Sequence, residues 1–453
     1  MRLDPQEPAR LAPLQSAPPP ASRARLDLGL LRRSRELRLL VSGQALSFGA
    51  GTLTLVALPL QTYRISHSSL VVGLLSLAEL GPVLLTAFVG GALADAFDRR
   101  RLVLLTGLAT ALVTTALIVN ASLGHPRLWV LFAVAALASI AYGLQRPSLD
   151  AIVPRIVAFG ELAAASSLVA VPTGVAMVAG PVLAGLLIAG AGLAVTYSVV
   201  VALYALALVT FAAMRAVPAH AGELSIAAIG DGVRYARSRR DLLGTYLVDF
   251  SAMFFGIPEA LMPQVAGRYG GPQILGLLFA AAPAGALLVS VTSGWLRRVS
   301  RHGRAITIAA AAWGLGIVVF GLADSLGLAL AGLAFAGGAD EVSGLCRMTM
   351  WNESIPDRIR GRLAGIEMLS WGSGPTLGNV EAGAAASLVG LRASIVAGGA
   401  VCVAAAAVIA LALPALWRYD RADGRRRRED DGATPPPEGR PAMPAESSGS
   451  TRG

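Results

Sequence analysis

The sequence predicts an all-α membrane protein: twelve transmembrane helices in two six-helix halves, with both ends of the chain on the cytoplasmic side. Three observations carry that expectation. The 453 residues are 55% hydrophobic and only 15% charged, where a soluble domain carries about 25% charge. Apolar runs of about 20 residues, enough to cross a bilayer as a helix, recur along the chain, and the alternating strands of a membrane β-barrel do not. The arginines gather in every second connection between those runs.

Residues 1–36 precede the first span. They are rich in Pro, Ala and Arg, then alternate Leu with Arg, and are expected to form a disordered basic segment whose last part lies on the membrane surface. No secretory signal is legible in them. The spans of the first half are 37–62, 70–93, 102–122, 128–151, 162–189 and 193–214. Residues 215–240 link the halves. Ile226, Ile229, Val233 and Ala236 recur there at helical spacing among Arg234, Arg237, Arg239 and Arg240, the pattern of an amphipathic helix on the cytoplasmic surface. The spans of the second half are 241–266, 272–296, 304–323, 326–350, 363–388 and 391–416. The tail, 417–453, carries Arg425–Arg428 followed by acids, Pro, Gly and Ser. It is expected to be disordered, its arginines suited to anionic lipid and not to nucleic acid.

Orientation follows from arginine placement. Clusters precede the first span and recur at Arg99–Arg101, Arg155, Arg234–Arg240, Arg297–Arg304, Arg358–Arg362 and the tail. The opposite connections hold only Arg64, Arg127, Arg268 and Arg392. The positive-inside rule places the first set in the cytoplasm.

Composition also excludes chemistry. The net charge is +10 and no lysine occurs, so the chain carries neither a Walker-type phosphate loop nor a pyridoxal Schiff base. Cys346 and Cys402 lie in apolar spans and are poor disulfide partners. His67, His125, His220 and His302 are read as solvated loop residues without metal-ligand spacing. No metal, cofactor or catalytic constellation is expected, and the chain is not read as an enzyme.

The two halves read as a duplication. Gly143-Leu-Gln-Arg146 in span four is matched by Gly344-Leu-Cys-Arg347 in span ten, 201 residues later, and Gly180-Pro-Val-Leu183 in span five by Gly374-Pro-Thr-Leu377 in span eleven, 194 residues later. Two units in the same orientation imply a pseudo-two-fold axis along the membrane normal, with a cavity between them near the midplane. The stretch Gly90-Gly-Ala-Leu-Ala-Asp-Ala-Phe-Asp-Arg-Arg-Arg101 joins spans two and three. Its counterpart, Gly294-Trp-Leu-Arg-Arg298, has Arg298 where Asp95 would fall, so the hinge acid belongs to the first half alone.

Charge inside a membrane is expensive and needs a reason. Glu79, Asp249, Asp340 and Glu341 lie too deep in their spans for a carboxylate to reach the interface, and are candidates for the cavity, for proton coupling or for structural pairs. Glu259, Glu367 and Glu381 lie within about six to eight residues, roughly 9–12 Å, of a membrane face and read as interfacial. Arg146 and Arg347 either snorkel to the interface or pair, with Asp150 or with the Asp340/Glu341 couple.

With these residues on the page, residues 30–416 resemble the major facilitator superfamily. The hinge is similar to that family's Gly-x-x-x-Asp-(Arg/Lys)-x-Gly-x-(Arg/Lys)-(Arg/Lys) signature: Gly91, Asp95, Arg100 and Arg101 match it, while Ala96 and Asp98 depart from it. Leu-Ala-Asp-x-x-Asp-Arg-Arg, Leu-Arg-Leu-Leu-Val-Ser-Gly-Gln before span one, and Pro356-Asp-Arg-Ile-Arg-Gly-Arg-Leu-Ala-Gly365 resemble the branch holding the enterobactin exporter and bacterial drug efflux proteins. Gly180, Pro181 and Gly185 look like the antiporter motif of exporters, although packing of small residues by itself explains them better. The resemblance implies that Asp95 docks at the start of helix eleven, near Arg362 and Leu363, when the protein faces outward. It also implies that the arginines of Arg99–Arg101 stay at that face, Arg100 or Arg101 reaching Asp150 at the end of helix four. The expected function is a secondary active exporter of a siderophore or amphipathic drug-like molecule, driven by proton antiport through alternating access. An uptake facilitator of the same fold and a non-transporting sensor or scaffold are the alternatives. The expected partners are a small-molecule substrate, protons and the bilayer of the cell membrane, with the chain as a monomer and no nucleic acid bound.

Overall fold

Helices formed from these apolar runs turn back on one another through connections of a few residues. A computed structural model describes residues 28–217, 239–256, 258–355 and 357–421; of residues 87, 88, 91, 92, 94, 95, 159, 297 and 357–371 it describes the backbone alone. Most of the expected linker helix, the first 27 residues and the tail beyond 421 lie outside the described residues. Nine helices among them are long and apolar enough to cross a membrane.

The first half contains α1 (Arg35–Ser66), α2 (Ser69–Ala96), α3 (Arg99–Ser122), α4 (Leu128–Ile156) and the Leu162–Ala212 helix. That last helix breaks only at Gly192, where φ is 84°, a value that glycine adopts at no steric cost. Its two parts are α5 and α6. The second half contains α7 (Arg240–Phe255, continued by Met262–Tyr269), α8 (Pro272–Thr292), α9 (His302–Leu322), α10 (Leu326–Ser354), α11 (Asp357–Val389) and α12 (Leu391–Ala412). Side-chain caps start several of them. The hydroxyls of Ser34, Ser68 and Ser325 and the Asp98 carboxylate accept from backbone N–H groups three residues on, satisfying donors that the first turn leaves free.

Packing repeats between the halves. Helix α2 packs on α4 as α8 packs on α10, and α3 meets α6 as α9 meets α12. The duplicated Gly-Pro pairs carry the third correspondence. A Cβ at Gly180 of α5 would strike Thr52 of α1, and one at Gly374 of α11 would lie 2.9 Å from the Met253 Cβ of α7. Both glycines therefore let the first helix of a half lie against its fifth.

The first and last described residues and the described parts of the arginine-rich connections gather at one face, called here the terminal face. There Arg35 of α1 donates to the Ala213 carbonyl after α6 at 3.1 Å, and Arg421 pairs with Glu353 at the end of α10 at 2.5 Å. The opposite, far face carries the connections at 67–68, 323–325 and 390.

Three boundaries differ from the sequence reading. Span seven is not one helix: α7 stops at Phe255, a short 3-10 turn occupies Glu259–Leu261, and the helix resumes at Met262. Pro258 supplies no N–H, and the Gly256 backbone admits the Trp313 indole of α9 where a side chain would collide. Helix α11 begins at Asp357, so Arg362 sits in its second turn and not at its start, and the arginines of 358–362 belong to a helix and not to a loop. His302 opens α9 and is 3% exposed, a buried residue where a solvated one was expected, because it lies beneath the segment that follows α12.

Candidate functional site

The two halves meet along two seams, α2 against α11 and α5 against α8. Both seams tighten toward the far face. On one, a Cβ at Gly73 would run into the Asn379 carbonyl, and one at Gly383 would lie 2.6 Å from the Ser69 carbonyl. On the other, a Cβ at Gly185 would sit 2.7 Å from the Pro272 carbonyl and 3.1 Å from the Gly276 Cα. Close backbone approach of this kind needs glycine. Among the described residues, two side-chain hydrogen bonds also cross between halves: Ser69 Oγ to Gln264 Oε1 at 3.0 Å, and Asn379 Nδ2 to Ser76 Oγ at 3.3 Å. Of the motif read in span five, Gly180 thus serves packing within its half, whereas Pro181 and Gly185 form the seam with α8. Asn379 lies 194 residues after Gly185, the repeat's own offset. One seam is glycine on glycine where the other carries an amide.

Just inside the α2–α11 seam lies a cavity of about 150 Å³, walled by α1, α2, the break in α7, α8 and α11. Leu55, Leu75 and Phe279 form part of its apolar wall; Ser76, Glu79, Glu259, Thr376 and Asn379 are its polar side. Glu79 stands about ten residues, roughly 15 Å, along α2 from the far face, as expected from sequence. Glu259, expected at the interface, lines the cavity instead. The break in α7 turns it inward to the same cavity. Asn379 organises the site. Its Oδ1 accepts the Ala260 N–H at 3.0 Å, a donor that the broken helix leaves without a carbonyl, and its Nδ2 reaches Glu259 Oε2 at 3.4 Å. The Pro-Glu pair after Gly256 was the available signal, since proline within an apolar run marks a broken span.

The remaining candidates are distributed elsewhere. Arg347 of α10 pairs with Asp249 of α7, both nearly buried, and not with Asp340 or Glu341. The repeat explains the choice. Arg146 has Asp150 four residues on and pairs with it at 3.0 Å, whereas Trp351 occupies the position matching Asp150 in the second half. Arg347 therefore takes its acid from the neighbouring helix. Arg146 and Asp150 are exposed. Asp340 and Glu341 are half-buried neighbours on α10 that turn to different helices: Glu341 to Ser290 of α8, Asp340 towards Cys402 of α12. They do not join the Glu79 cavity.

At the hinge, α2 ends at Ala96 and α3 begins at Arg99 with Asp98 as its cap. Arg100 donates from Nε to the Phe211 carbonyl at 3.2 Å and from Nη2 to that of Ala212, a cation at a helix carboxyl end. It does not reach Asp150 in this conformation. Arg99 is 5% exposed and Arg101 is exposed. At Gly90 a Cβ would lie 2.5 Å from the Gly143 carbonyl of α4, and the surroundings of Gly91 lie outside those described. The side chains of Asp95 and Arg362 lie outside those described.

Residues 40–430 match a family profile described as transmembrane secretion effector. The chain is 26% identical over 403 residues to the enterobactin exporter EntS of Shigella boydii serotype 4, covering 87% of this chain and 95% of that protein. It is 27% identical over 404 residues to EntS of Escherichia coli O139:H28, with the same coverage. Among solved structures it is similar to a POT family transporter in complex with 5-aminolevulinic acid (TM-score 0.68, 13% identity, 84% of this chain and 97% of that one). It is also similar to the nucleoside transporter NupG (TM-score 0.67, 15% identity, 85% and 99%). A bacterial homolog of the human lysosomal transporter Spinster, in an inward-facing and unoccupied conformation, matches with a TM-score of 0.63 at 15% identity, covering 87% and 97%. At these identities the solved structures show the fold alone.

Proposed function

Because the chain belongs to the transmembrane secretion effector family of major facilitator transporters, we propose that it is a proton-coupled exporter in the cell membrane. It crosses the bilayer twelve times, with the terminal face in the cytoplasm. Its cargo is a siderophore or an amphipathic drug-like molecule.

The observation that carries this reading is the placement of the seams. Both close at the far face, and the cavity with its two carboxylates lies immediately behind one of them. That arrangement supports an inward-facing transporter, closed outside and receiving cargo from the cytoplasm. Rocking the halves opens the far-face seams and closes the terminal face. Glycine seams suit such a cycle. Among the described residues they pack by surface match without covalent or ionic locks, so they part at modest cost.

Named residues then take roles. Of the candidate carboxylates, Glu79 at the cavity is the one from which the coupling proton is drawn, and Asp340 and Glu341 serve the packing of α10 against its neighbours. The Asp249–Arg347 pair holds α7 to α10 inside the second half. Gly91, Asp95, Arg99, Arg100, Arg101 and Arg362, with Arg146–Asp150 beside them, form the terminal-face hinge that engages when the cytoplasmic side shuts. Relatedness to the enterobactin exporters supports export, and helices rich in Ala, Leu, Val and Gly favour an amphipathic cargo.

Inside-out membrane vesicles test the reading. Fluorescent amphipathic cargo, and a catecholate siderophore in parallel, should accumulate when the lumen is made acid. Accumulation should collapse with a protonophore and survive ATP depletion while the gradient is clamped. Accumulation sustained by ATP alone, without a gradient, would refute proton coupling.

A further inference from the structure

Glu79 and Glu259 come from opposite halves and open on one cavity. Among the described residues, the other walls, from α1, α8 and α11, contribute no basic side chain and no further acid. Two ionised carboxylates in such a place repel each other across the seam, with little solvent to screen them. Their surroundings are unequal. Glu259 has an amide donor in Asn379 Nδ2 at 3.4 Å. Glu79 is half-buried, and among the described residues the charged group acting on it is Glu259. No hydrogen-bond donor among the described residues reaches its carboxylate, and its remaining accessible surface belongs to a residue that lines the cavity. The cavity, at about 150 Å³, is well below the roughly 300–1,000 Å³ of a drug-sized pocket. It admits a proton or a few waters and not the cargo.

We propose that this cavity is the coupling-proton site: Glu79 and Glu259 together hold one proton while the far face is closed, and loss of that proton opens it. The inference rests on the proton-coupled reading above and names its site. The proton resides on Glu79, and Glu259 remains ionised against Asn379. When the proton leaves toward the cytoplasm, like charges face each other across the α2–α11 seam. Asn379 conveys the change, because its amide bonds to Ser76, Glu259 and the Ala260 N–H at once. Movement of Glu259 therefore pulls on the polar contact that joins α11 to α2.

The test reads the gate and not transport. Spin labels at Arg64→Cys and Leu388→Cys, exposed positions on opposite halves at the far face, report the opening by pulsed electron resonance in lipid nanodiscs. No cargo or gradient is present. The closed-to-open ratio should fall about tenfold per pH unit through the titration window, as one linked proton requires. Glu79→Gln and Glu259→Gln should each stay closed up to pH 9 with that slope lost, and Glu341→Gln should titrate as wild type. A wild-type slope retained in both cavity variants would overturn the proposal. So would a gate that follows sodium at fixed pH. If the gate titrates as described but vesicle transport ignores the proton gradient, the pair stands and the exporter reading falls. If transport follows the gradient while the gate does not titrate through the pair, this site is wrong and the exporter reading stands.

Discussion

Replacing Gly276 by leucine should force the far face open. In the closed seam a Cβ at this position would run into the Pro181 carbonyl and lie 3.1 Å from the Gly185 Cα. Non-bonded carbons settle at about 3.5–4.0 Å, so even the first carbon displaces α8 from α5, and the rest of the side chain has no space while the seam is shut. Overpacking of this kind costs about 1–3 kcal/mol. The cost falls on the closed state alone, so the closed-to-open ratio should drop about 5- to 150-fold. A cysteine at Ser76, in the cavity beside the α2–α11 seam, reports the change in whole cells through a membrane-impermeant maleimide. Labelling should accelerate in Gly276→Leu and in Gly185→Leu, with cargo export lost and expression retained. Gly190→Leu, on the same helix as Gly185 but with nothing within 4 Å of its Cβ position, should label as the parent does. Parental labelling and full export in Gly276→Leu would show that this seam is not what closes the far face.

Breaking the Asp249–Arg347 pair by Arg347→Ala should lower the thermal stability of the purified protein by about 3–5 kcal/mol, because a nearly buried carboxylate loses its partner; the exchange Asp249→Arg with Arg347→Asp should recover part of it. Arg146→Ala, at an exposed pair, should change stability by no more than about 0.5 kcal/mol. Asp95→Asn should reduce export strongly while leaving expression and cargo binding nearly intact, measured by flux beside equilibrium binding; lost binding with unchanged gate accessibility would make Asp95 a cargo residue instead. Cysteines placed at residues 220, 358 and 440 should be modified only from the cytoplasmic side, and external labelling of any one would break the twelve-span orientation.

Much of this molecule is legible in its sequence because two of its constraints are local. Hydropathy fixes where helices lie, and a glycine beside a proline in both halves marks where helix five or eleven meets the first helix of its half. The Glu79 cavity is only half legible. Depth along α2 identifies Glu79, since that helix runs unbroken past it. Glu259 was placed by counting along a straight span seven, and the break at Gly256–Pro258 invalidates that count. The partner of Arg347 was hidden for another reason. Arg146 finds its acid one turn away, on its own helix, but Arg347 takes Asp249 from a helix about 100 residues earlier, and sequence spacing carries no information about that contact. The start of α11 was placed too late because its first turns are rich in arginine. Hydropathy ends at the membrane, whereas the backbone hydrogen bonding of a helix does not.

A cross-link between Ser69→Cys and Gln264→Cys tests the central claim most directly. These side chains touch across the halves at 3.0 Å, on the face whose opening the transport cycle requires, and the native Cys346 and Cys402 are buried and free. Oxidation should abolish export while leaving cargo binding from the terminal face intact, and a reductant should restore export. Full-rate export by the cross-linked protein would contradict the claim that these halves part at the far face.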